Sequence, residues 1–431
     1  MRGRMLDLLD ERSRAGQPLR AVLVGAGTFG TMLLGQARRL QGLEIVAVAD
    51  LDASRARSAL RQAGYEHRDV EATDDVAGVL AREGVEVVVE ATGAPLAGVE
   101  HALKAIDLGR HVVMVNVEAD ALAGPALAQR ARKAGVAYSL AYGDQPALVC
   151  ELVDWSRSCG FQPACAGKGT KYLPAYHSVT PDTVWEHYGL TPAQVEAGGF
   201  NARMFTSFID GTKSAIEMAA VCNATGLEPQ AEGLRFPPAG VDDLAQVCIP
   251  DADGGVLSRT GTVEVVSSLQ REGAAVPRDL RWGVYVTFAA PSRQVADWFR
   301  AYGLTSDGSG RYAALYRPYH LVGLETTVSV LSTGLLGEPT GSAKAFVADV
   351  AAVAKADLQE GTELDGEGGF TVHGALAPAR SAARRGLLPI GLAHGLRLRR
   401  NVRRGEPVRV DDVEGPTASA ALACRAAMAP S

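Results

Sequence analysis

The sequence has few cysteines, and none of them is spaced for a metal site. They form no CxxC pair and lie in apolar surroundings, which is typical of free, buried thiols rather than of disulfides or zinc ligands. We therefore expect no metal–thiolate site. The six cysteines are Cys150, Cys159, Cys165, Cys222, Cys248 and Cys424.

Long apolar runs and an excess of positive charge are also missing. No stretch approaches the length of a membrane span, and residues 1–20 lack the uninterrupted apolar core of a secretory signal. The net charge of -6 argues against a nucleic-acid partner. We therefore predict a cytoplasmic protein that binds small molecules and does not bind a membrane or nucleic acid. Whether it forms a homo-oligomer is left open.

The apolar residues that are present suffice for more than one hydrophobic core. Of the 431 residues, 47% are hydrophobic and 21% are charged, which is typical of a globular protein of two or three domains. In the first third, short β-rich runs such as 20–24 and 44–49 alternate with helix-like runs, which predicts parallel βαβ units. The fold class that we predict is α/β, with a doubly wound Rossmann sheet.

The rest of the chain has two further patterns. The middle part mixes loops rich in Gly and Pro with strand candidates and with helix candidates such as 206–226 and 339–355, which predicts an α+β substrate domain. From about residue 356 the pattern is β-like, and the pentapeptide 357–361 has a weak copy at 401–405. The predicted domains are 15–150 for dinucleotide binding, 151–350 for substrate and catalysis, and 351–431 for a small β-rich module.

A glycine-rich segment, GAGTFG, follows the first strand candidate and precedes a helical run. In a dinucleotide-binding turn of this form, Gly25 permits the tight turn, Gly27 lets the backbone approach a pyrophosphate, and Gly30 allows close packing of strand and helix. The N-terminus of the helix then faces the phosphates. We therefore predict that this segment, with Thr28 and Phe29, binds NAD or NADP.

Two further positions suit such a cofactor. Asp50 ends the next strand candidate, about 20 residues after the last glycine, where a carboxylate is expected to bind the ribose. It favours NAD because it would repel a 2′-phosphate, whereas Arg55 could turn toward one. The segment EATGAP ends another parallel strand, so we expect Thr92 and Gly93 near the nicotinamide ribose, an ordinary Gly-Pro turn being the alternative.

Several longer segments carry a family resemblance. They are GAGTFG, EATGAP, VMVNVEAD, GKGTKYL, HSVTPDTVWEHYG, MFTSFIDGTKSAIEMAAVCNATGL, RPYHLVGLE, DGEGGFTVHG and LPIGLAHG. From about residue 15 to about residue 415 the chain resembles the homoserine-dehydrogenase-like NAD(P)-dependent oxidoreductases with a C-terminal SAF-type domain. The family includes enzymes that convert 1-deoxy-D-xylulose 5-phosphate to 2-C-methyl-D-erythritol 4-phosphate. The resemblance therefore implies an oxidoreductase, with a reductoisomerase-like activity as the most specific candidate.

The chain departs from this family at one informative place. After the fourth strand, true homoserine dehydrogenases carry an Asn-Lys pair, whereas this chain has Asn116, Val117 and Glu118. The resemblance assigns Asn116 to the cofactor site, but the expected lysine is absent. Homoserine oxidation is therefore not expected, and a proton-handling group must come from another segment.

The helix candidate 206–226 offers such a group. If Asp210 caps the helix, Lys213 lies in its first turn, where the helix dipole disfavours a cation, with Asp210 and Glu217 within local reach. A lysine tuned in this way can stabilise an alkoxide and pass a proton. We therefore hypothesise that Lys213, Asp210 and Glu217 are catalytic. The alternative is that Lys213 reaches solvent and pairs with Glu217 one turn later.

Further polar residues are candidates for binding the substrate. The segment GKGTK resembles an anion cradle with two cations, a hydroxyl and glycine-freed backbone N–H groups, although a basic hairpin turn is an equal alternative. The other candidates are polar residues in loop-like contexts. The substrate-binding set is Lys168, Thr170, Lys171, His177, Arg203 and His320.

A divalent metal is left open, because spacing alone does not show whether Asp210, Glu217 and Glu325 converge. The function that we predict is NAD(P)-dependent oxidoreduction of a small hydroxylated carbonyl compound, with a phosphorylated substrate among the options. One alternative is a simple dehydrogenase or reductase of a sugar, polyol or hydroxy acid. Another alternative is a cofactor-binding sensor or scaffold.

Overall fold

The β-strands of the computed structural model form three sheets within the described residues, which are 2–65, 70–415 and 419–430. In chain order they are β1 (Leu19–Val24), β2 (Leu43–Ala49), β3 (Glu71–Thr73), β4 (Val87–Glu90), β5 (His111–Met114), β6 (Tyr138–Leu140), β7 (Gln162–Thr170), β8 (Thr262–Ser267), β9 (Val284–Ala289), β10 (Tyr312–Arg317), β11 (Ala348–Ala354) and β12 (Val372–Pro378).

The α-helices alternate with the strands in the first part of the chain and cluster in the middle. In chain order they are α1 (Arg2–Arg14), α2 (Thr28–Ala37), α3 (Ala53–Gln62), α4 (Val76–Ala81), α5 (Pro95–Asp107), α6 (Val117–Ala134), α7 (Gln145–Ser158), α8 (Val184–Tyr188), α9 (Pro192–Gly198), α10 (Ala202–Ile209), α11 (Thr212–Thr225), α12 (Leu244–Val247), α13 (Arg293–Ala301), α14 (Thr327–Leu331), α15 (Ala379–Arg385), α16 (Ile390–Ala393) and α17 (Ala420–Ala426). None of the helices in the described ranges has the length and apolar composition that a membrane-spanning segment needs.

The structure divides into two units. The first takes the described residues within Met1–Glu151, His320–Lys344 and Ser419–Met428, and the second takes those within Leu152–Tyr319, Ala345–Ala418 and Ala429–Ser431. The C-terminal β-rich segment therefore belongs to the same unit as the middle of the chain.

The first unit is built on a parallel sheet with the strand order β3-β2-β1-β4-β5-β6. Its central strands are runs of buried Val, Leu and Ala, as expected for a parallel sheet covered by helices on both faces. The chain proceeds from β1 to β3 on one side and then crosses over to β4, so the strand order reverses between β1 and β4. Ligands of such sheets bind beyond the carboxyl ends of the strands at this point. The predicted Rossmann fold is confirmed.

The second unit contains a mixed sheet, with the order β10-β9-β7-β8, and an antiparallel pair, β11-β12. The predicted α+β part and the small C-terminal β-structure are confirmed. Helix α11 packs against β7 and β8 and also against β11 and β12. Because it is covered by both sheets, all its residues except Lys213 are buried. This explains why the helix is apolar almost all round.

The weak internal repeat corresponds to a reciprocal pairing in the C-terminal part of the second unit. The backbones of Leu358 and Val402, the second residues of the two copies, exchange both hydrogen bonds at 2.8 and 2.9 Å. The first residue of each copy, Asp357 or Asn401, accepts through Oδ1 the backbone N–H of the fourth residue of the other copy at 2.8 Å. Such an exchange relates the two copies by a local two-fold axis.

The predicted helix over 339–355 is wrong. Ala348–Ala354 forms strand β11, and the residues before it are irregular. The run ADVAAVA is short and rich in Ala, so its composition suits a helix as well as a strand. Pairing with β12 and packing against α11 decide in favour of the strand, and both partners lie outside the segment.

Candidate active site

The glycine-rich turn between β1 and α2 fits a dinucleotide. Gly25 has a φ of +100°, and a Cβ on it would lie 2.5 Å from the Ala91 carbonyl oxygen, so this position requires glycine for both conformation and space. A Cβ on Gly30 would lie 2.5 Å from the Gly25 carbonyl oxygen, which reflects close packing of helix and strand. A Cβ on Gly27 would meet no atom within 4 Å. The backbone at Gly27 is therefore open to a phosphate group.

Asp50 is held against this turn. Its Oδ2 accepts the backbone N–H of Ala26 at 2.8 Å, and its Oδ1 accepts the N–H of Asp52 at 3.2 Å. The guanidinium of Arg55, which is largely exposed, lies 3.8 Å from Asp50 Oδ1. Asp50 thus has the position that a ribose-binding carboxylate requires, and Arg55 stands beside it.

The EATGAP segment begins with a buried carboxylate and ends at the N-terminus of α5. Oε1 of Glu90 accepts the backbone N–H of Thr92 at 3.4 Å and its hydroxyl at 2.5 Å. The side-chain amide of Asn116, which is buried, donates to the Thr92 hydroxyl at 3.3 Å and to the Ala94 carbonyl at 2.9 Å. Thr92 and Gly93 themselves are exposed at the carboxyl end of β4. Asn116 therefore holds the segment, and Thr92 and Gly93 are the parts that a ligand can reach.

In the second unit, Asp210 joins several elements at the start of α11. Its Oδ1 accepts the N–H of Thr212, the first residue of α11, at 2.8 Å, although the N-cap position itself is taken by Gly211 and not by Asp210 as the sequence predicts. Its Oδ2 lies 2.8 Å from Nζ of Lys355, and both side chains are almost completely buried. Gly211, which lies between Asp210 and Thr212, has a φ of +93°. The corner between α10 and α11 is therefore fixed by a lysine from the C-terminal part of the chain.

Glu217 has a second lysine as its partner. Oε2 of Glu217 accepts a hydrogen bond from Nζ of Lys168, which lies on β7, and only 4% and 7% of the two side chains are exposed. Since a buried carboxylate is costly without a cation, this pairing explains how Glu217 can lie inside an apolar helix.

Lys213 and Glu217 are four residues apart on α11, which places them on one face of the helix, and Asp210 precedes the helix. Lys213 is half-buried, whereas the residues around it are buried. With Lys168 and Lys355 the group contains three cations and two anions, and we call these five residues the charge array.

His177 joins the same corner through a directed hydrogen-bond chain. Its Nδ1 is 2.7 Å from the carbonyl oxygen of Asp210, and its Nε2 is 2.8 Å from the hydroxyl of Tyr172. Because a carbonyl only accepts, Nδ1 carries the proton, and the Tyr172 hydroxyl donates to Nε2 of the neutral ring. Burial lowers the pKa of His177, which favours this neutral form.

The imidazole of His373 stacks on that of His177, with ring centroids 4.3 Å apart. Burial, together with the nearby His177 and Lys355, lowers the pKa of His373 to about 3. Nδ1 of His373 is buried without a hydrogen-bond partner in the described structure. His373 is therefore a neutral ring that packs against the His177 side of the corner.

Tyr172 is itself held by a strained residue. The ring of Phe236 stacks on Tyr172 at 3.9 Å, and Phe236 has a φ of +50°, a left-handed conformation that is unusual for a non-glycine residue. The buried Glu264 accepts the backbone N–H groups of Phe236 and of its preceding residue at 3.1–3.2 Å. Burial raises the pKa of Glu264 to about 7, and these hydrogen bonds oppose the shift. Such strain is common at functional sites.

The GKGTK segment is the end of strand β7 rather than a free loop. Cβ atoms on Gly167 and Gly169 would lie 1.8 and 1.9 Å from the backbone oxygens of Glu264 and Leu280. The N–H of Gly169 donates to the Gly283 carbonyl at 3.1 Å. The glycines therefore allow close packing of neighbouring backbone, and the expected glycine-freed N–H at 169 is already bonded.

The remaining substrate-binding candidates lie in different environments. Nζ of Lys171 donates to the His187 carbonyl, and burial and the nearby Arg281 lower its pKa. Thr170, beside it, is buried at the end of β7. Arg203 binds the backbone carbonyls of the 365–367 loop, which anchors that loop to α10. His320 belongs to the first unit, so the structure does not assign it to the corner at α11.

No group of three or more His, Cys, Asp or Glu side chains in the described ranges is arranged to hold a metal. Asp210 and Glu217 are each engaged by a lysine. Glu325 belongs to the first unit. The requirement for a divalent metal stays open.

Three consecutive parts of the chain match known protein families. Residues 24–141 match the NAD binding domain of homoserine dehydrogenase, residues 143–326 match the catalytic domain of oxidoreductase DRL, and residues 349–414 match the SAF domain. The chain therefore has the domains of an oxidoreductase that binds NAD or NADP. More particularly, it combines a homoserine-dehydrogenase-like NAD-binding domain with a DRL catalytic domain and a SAF domain.

Solved structures match the chain with low similarity. An NAD binding oxidoreductase from Klebsiella pneumoniae is 23% identical over 38% of this chain and 45% of its own, with a TM-score of 0.30. Myo-inositol dehydrogenase from Lactobacillus casei, solved with NAD(H) and myo-inositol, is 15% identical over 39% of this chain and 50% of its own, with a TM-score of 0.29.

A probable dehydrogenase from Thermotoga maritima is 14% identical over 74% of this chain and 90% of its own, with a TM-score of 0.38. The chain spans about half the length of the Klebsiella and Lactobacillus structures. At these TM-scores the likenesses say nothing about substrate. No curated protein sequence matches the chain.

Sequence reasoning missed three residues of the α11 corner, namely Lys355, His373 and Tyr172. Lys355 ends a run that is predicted as a helix, and its carboxylate partner is far away in sequence. Tyr172 follows GKGTK directly and lies five residues before His177. The sequence does contain one signal for Lys355: it directly follows an apolar run, in AVAKAD, and a lysine next to such a run needs a partner if the run is buried.

Proposed function

We propose that the chain catalyses NAD(P)-dependent oxidoreduction of a small hydroxylated carbonyl compound that carries an anionic group. The observation that carries this proposal is the charge array on α11. Its two carboxylates are paired with Lys168 and Lys355, and Lys213 is its half-buried member. The ammonium group of a half-buried lysine suits a hydrogen bond to an anionic group or to a developing oxyanion.

Each residue of the array has a separate role in this proposal. Lys213 donates a hydrogen bond to the substrate oxygen and gives it a proton during reduction, or accepts that proton during oxidation. Asp210 holds the first turn of α11 through the N–H of Thr212, and Glu217 holds Lys168 through a hydrogen bond. Lys213 lies in the first turn of α11, where the helix dipole disfavours a cation.

The cofactor is held by the first unit in this proposal. The turn with Gly25, Gly27 and Gly30 binds the pyrophosphate, Asp50 binds the adenine ribose, and Thr92 lies toward the nicotinamide ribose. Gly27 is open to a ligand, and Asp50 is fixed by Ala26, which supports this arrangement. The bound nicotinamide supplies or accepts the hydride.

Within this class, the most specific candidate is a reductoisomerase-like conversion of 1-deoxy-D-xylulose 5-phosphate. The lysines of the charge array support an anionic substrate. The second candidate is a simple dehydrogenase of a hydroxy acid or sugar acid without rearrangement. The fixed carboxylate of Asp50, which disfavours a 2′-phosphate and therefore favours NAD, supports it.

The test follows the absorbance of NADH and NADPH with a panel of ketose phosphates, sugar acids, polyols and hydroxy acids, with and without added Mg²⁺. We expect turnover of an anionic member of the panel. The variant Lys213→Met should bind NADH normally but lose about 10²- to 10⁴-fold in kcat, as expected for a lost acid–base group.

The matched control is Lys344→Met, because Lys344 is an exposed lysine of the first unit. It should retain wild-type kcat. Near-normal kcat in Lys213→Met would remove Lys213 from the mechanism. Turnover of neutral polyols only would contradict the anionic substrate class.

A further inference from the structure

The C-terminal module, residues 349–414, supplies the ion-pair partner of Asp210. Nζ of Lys355 lies 2.8 Å from Asp210 Oδ2 and donates to the carbonyl oxygens of Val179 and Gly369 at 2.8 and 2.7 Å. The ammonium group therefore donates two hydrogen bonds to backbone carbonyls and forms an ion pair with the carboxylate. Only 1% of the Lys355 side chain is exposed. Lys355 therefore joins three separate segments and is not placed to exchange protons with a substrate.

Other residues of the module contact the same corner independently of Lys355. The N–H of Gly374 donates to the Thr212 hydroxyl at 2.8 Å, at the first residue of α11. A Cβ on Gly374 would come within 3.0 Å of the Thr212 side chain, so strand and helix approach closely. Next to it, His373 stacks on His177, whose Nδ1 binds the Asp210 carbonyl.

A loop of the module reaches helix α10 just before this corner. The Ser207 hydroxyl, which is buried, donates to the Glu367 carboxylate. Arg203, one turn earlier, donates to backbone carbonyls of the same loop. The module thus contacts the end of α10, Asp210, and the beginning of α11.

We propose that the C-terminal module is part of the active site and that Lys355 is a positioning residue for the first turn of α11. The inference rests on the proposed role of Lys213, since Lys213 follows Asp210 by three residues. Lys355 holds Asp210 through Oδ2 while Oδ1 of the same carboxylate caps Thr212. The module therefore fixes the backbone position from which the side chain of Lys213 extends.

The experiment compares Lys355→Met, Asp210→Asn and the double variant Lys355→Met/Asp210→Asn in the full-length chain. Lys355→Met leaves a buried carboxylate without a cation, so it is expected to be less stable than wild type and to fold poorly. The double variant removes both charges and is expected to recover much of the stability. Arg397→Met is the control, because Arg397 forms an exposed ion pair with Glu363 in the same module.

Three measurements are made on each variant: urea unfolding, NADH binding by fluorescence, and hydrogen exchange of the amides of residues 212–216. The double variant should bind NADH like wild type but exchange these amides at least about tenfold faster, while those of β7 stay protected. With a substrate from the panel, its kcat should fall on the order of 10²-fold, as a small displacement of a catalytic group can cause.

Recovery of stability together with wild-type exchange and wild-type kcat would overturn the proposal, because Lys355 would then be a purely structural residue. Faster exchange without any loss of kcat would also overturn it. If wild type turns over no compound of the panel but the exchange result is as expected, the proposed function fails while the positioning of α11 by Lys355 stands.

Discussion

In the first unit, the buried carboxyl of Asp120 has a tyrosine hydroxyl as its partner, whereas in the second unit the buried carboxylates of Glu217 and Asp210 each have a lysine. The two solutions have different consequences. A buried carboxyl with a neutral partner keeps its proton to a higher pH than an exposed carboxyl does, whereas a buried carboxylate with a lysine partner depends on that lysine to compensate its charge. At α11 the second unit thus has compensated charges in its interior, unlike the first unit at Asp120.

The glycine-rich segments of the two units differ in the same way. Gly27 in GAGTFG has open space where a Cβ would lie, whereas Gly169 in GKGTK has the Leu280 backbone there. The absence of a side chain at Gly27 leaves space for a ligand, whereas its absence at Gly169 lets the neighbouring backbone pack closely. The two motifs have similar sequences, and they differ in what surrounds the position that a Cβ would occupy.

The largest effect that we expect concerns the paired carboxylate. Lys168→Met leaves Glu217 buried without its cation and should lower the free energy of unfolding by about 3–5 kcal/mol, measured by urea denaturation. Lys168→Met/Glu217→Gln should recover most of this loss. The control, Arg130→Met, breaks an ion pair that is about half exposed and should cost less than about 1 kcal/mol. Equal losses for Lys168→Met and Arg130→Met would mean that water reaches Glu217.

How far the sequence predicts each region depends on the distance between partners. The Rossmann sheet and its turn were predictable because Gly25, Gly27, Gly30 and the strands beside them are adjacent, and Asp50 binds a residue only 24 positions away. The pairing of Lys168 with Glu217 spans 49 residues, and no local pattern records it. Lys213 was identified because it breaks the apolar pattern of its own helix.

The misjudged elements have a similar cause. The run at 348–354 becomes a strand because β12 and α11 are its neighbours, and neither is visible in a seven-residue Ala-rich segment. Lys355 binds Val179, which is 176 residues away. Arg203 was predicted to bind substrate, yet its guanidinium binds backbone carbonyls of the 365–367 loop. Charged residues identified from sequence are therefore candidates until their long-range partners are known.

The second prediction concerns the carboxyl that lacks a cation. Burial raises the pKa of Asp120 to about 7, against an ordinary value of 3.8, and the hydrogen bond from Tyr138 opposes the shift. Because the folded state holds this proton more tightly than the unfolded state, the contribution of Asp120 to stability is greatest below about pH 4 and is lost as pH rises through about 7.

The variant Asp120→Asn should therefore gain stability relative to wild type between pH 4 and pH 8, by about 2–4 kcal/mol, since one unit of pKa difference corresponds to about 1.4 kcal/mol. Urea unfolding at four pH values measures this gain. Asp107→Asn, at an exposed position, should show little change with pH. A constant difference between Asp120→Asn and wild type would show that Asp120 is ionised in the fold, and the contrast between the units would disappear.

The smallest expected effects separate the two kinds of glycine. In Gly169→Ala the new Cβ would lie 1.9 Å from the Leu280 carbonyl oxygen, which belongs to backbone and cannot rotate away, so we expect a loss of about 1–3 kcal/mol in stability with normal NADH affinity. In Gly27→Ala the Cβ meets no protein atom within 4 Å, and the φ of -74° suits alanine. Its stability should stay within about 0.5 kcal/mol of wild type.

The affinity of Gly27→Ala for NADH should instead fall on the order of tenfold, or about 1.4 kcal/mol, because the methyl group occupies the approach of the pyrophosphate. Fluorescence titration with NADH and urea unfolding of both variants give a two-by-two comparison in which each variant is the control of the other. If Gly27→Ala bound NADH normally, the open space at Gly27 would not be a phosphate site, and the difference between the two glycine-rich segments would be one of packing alone.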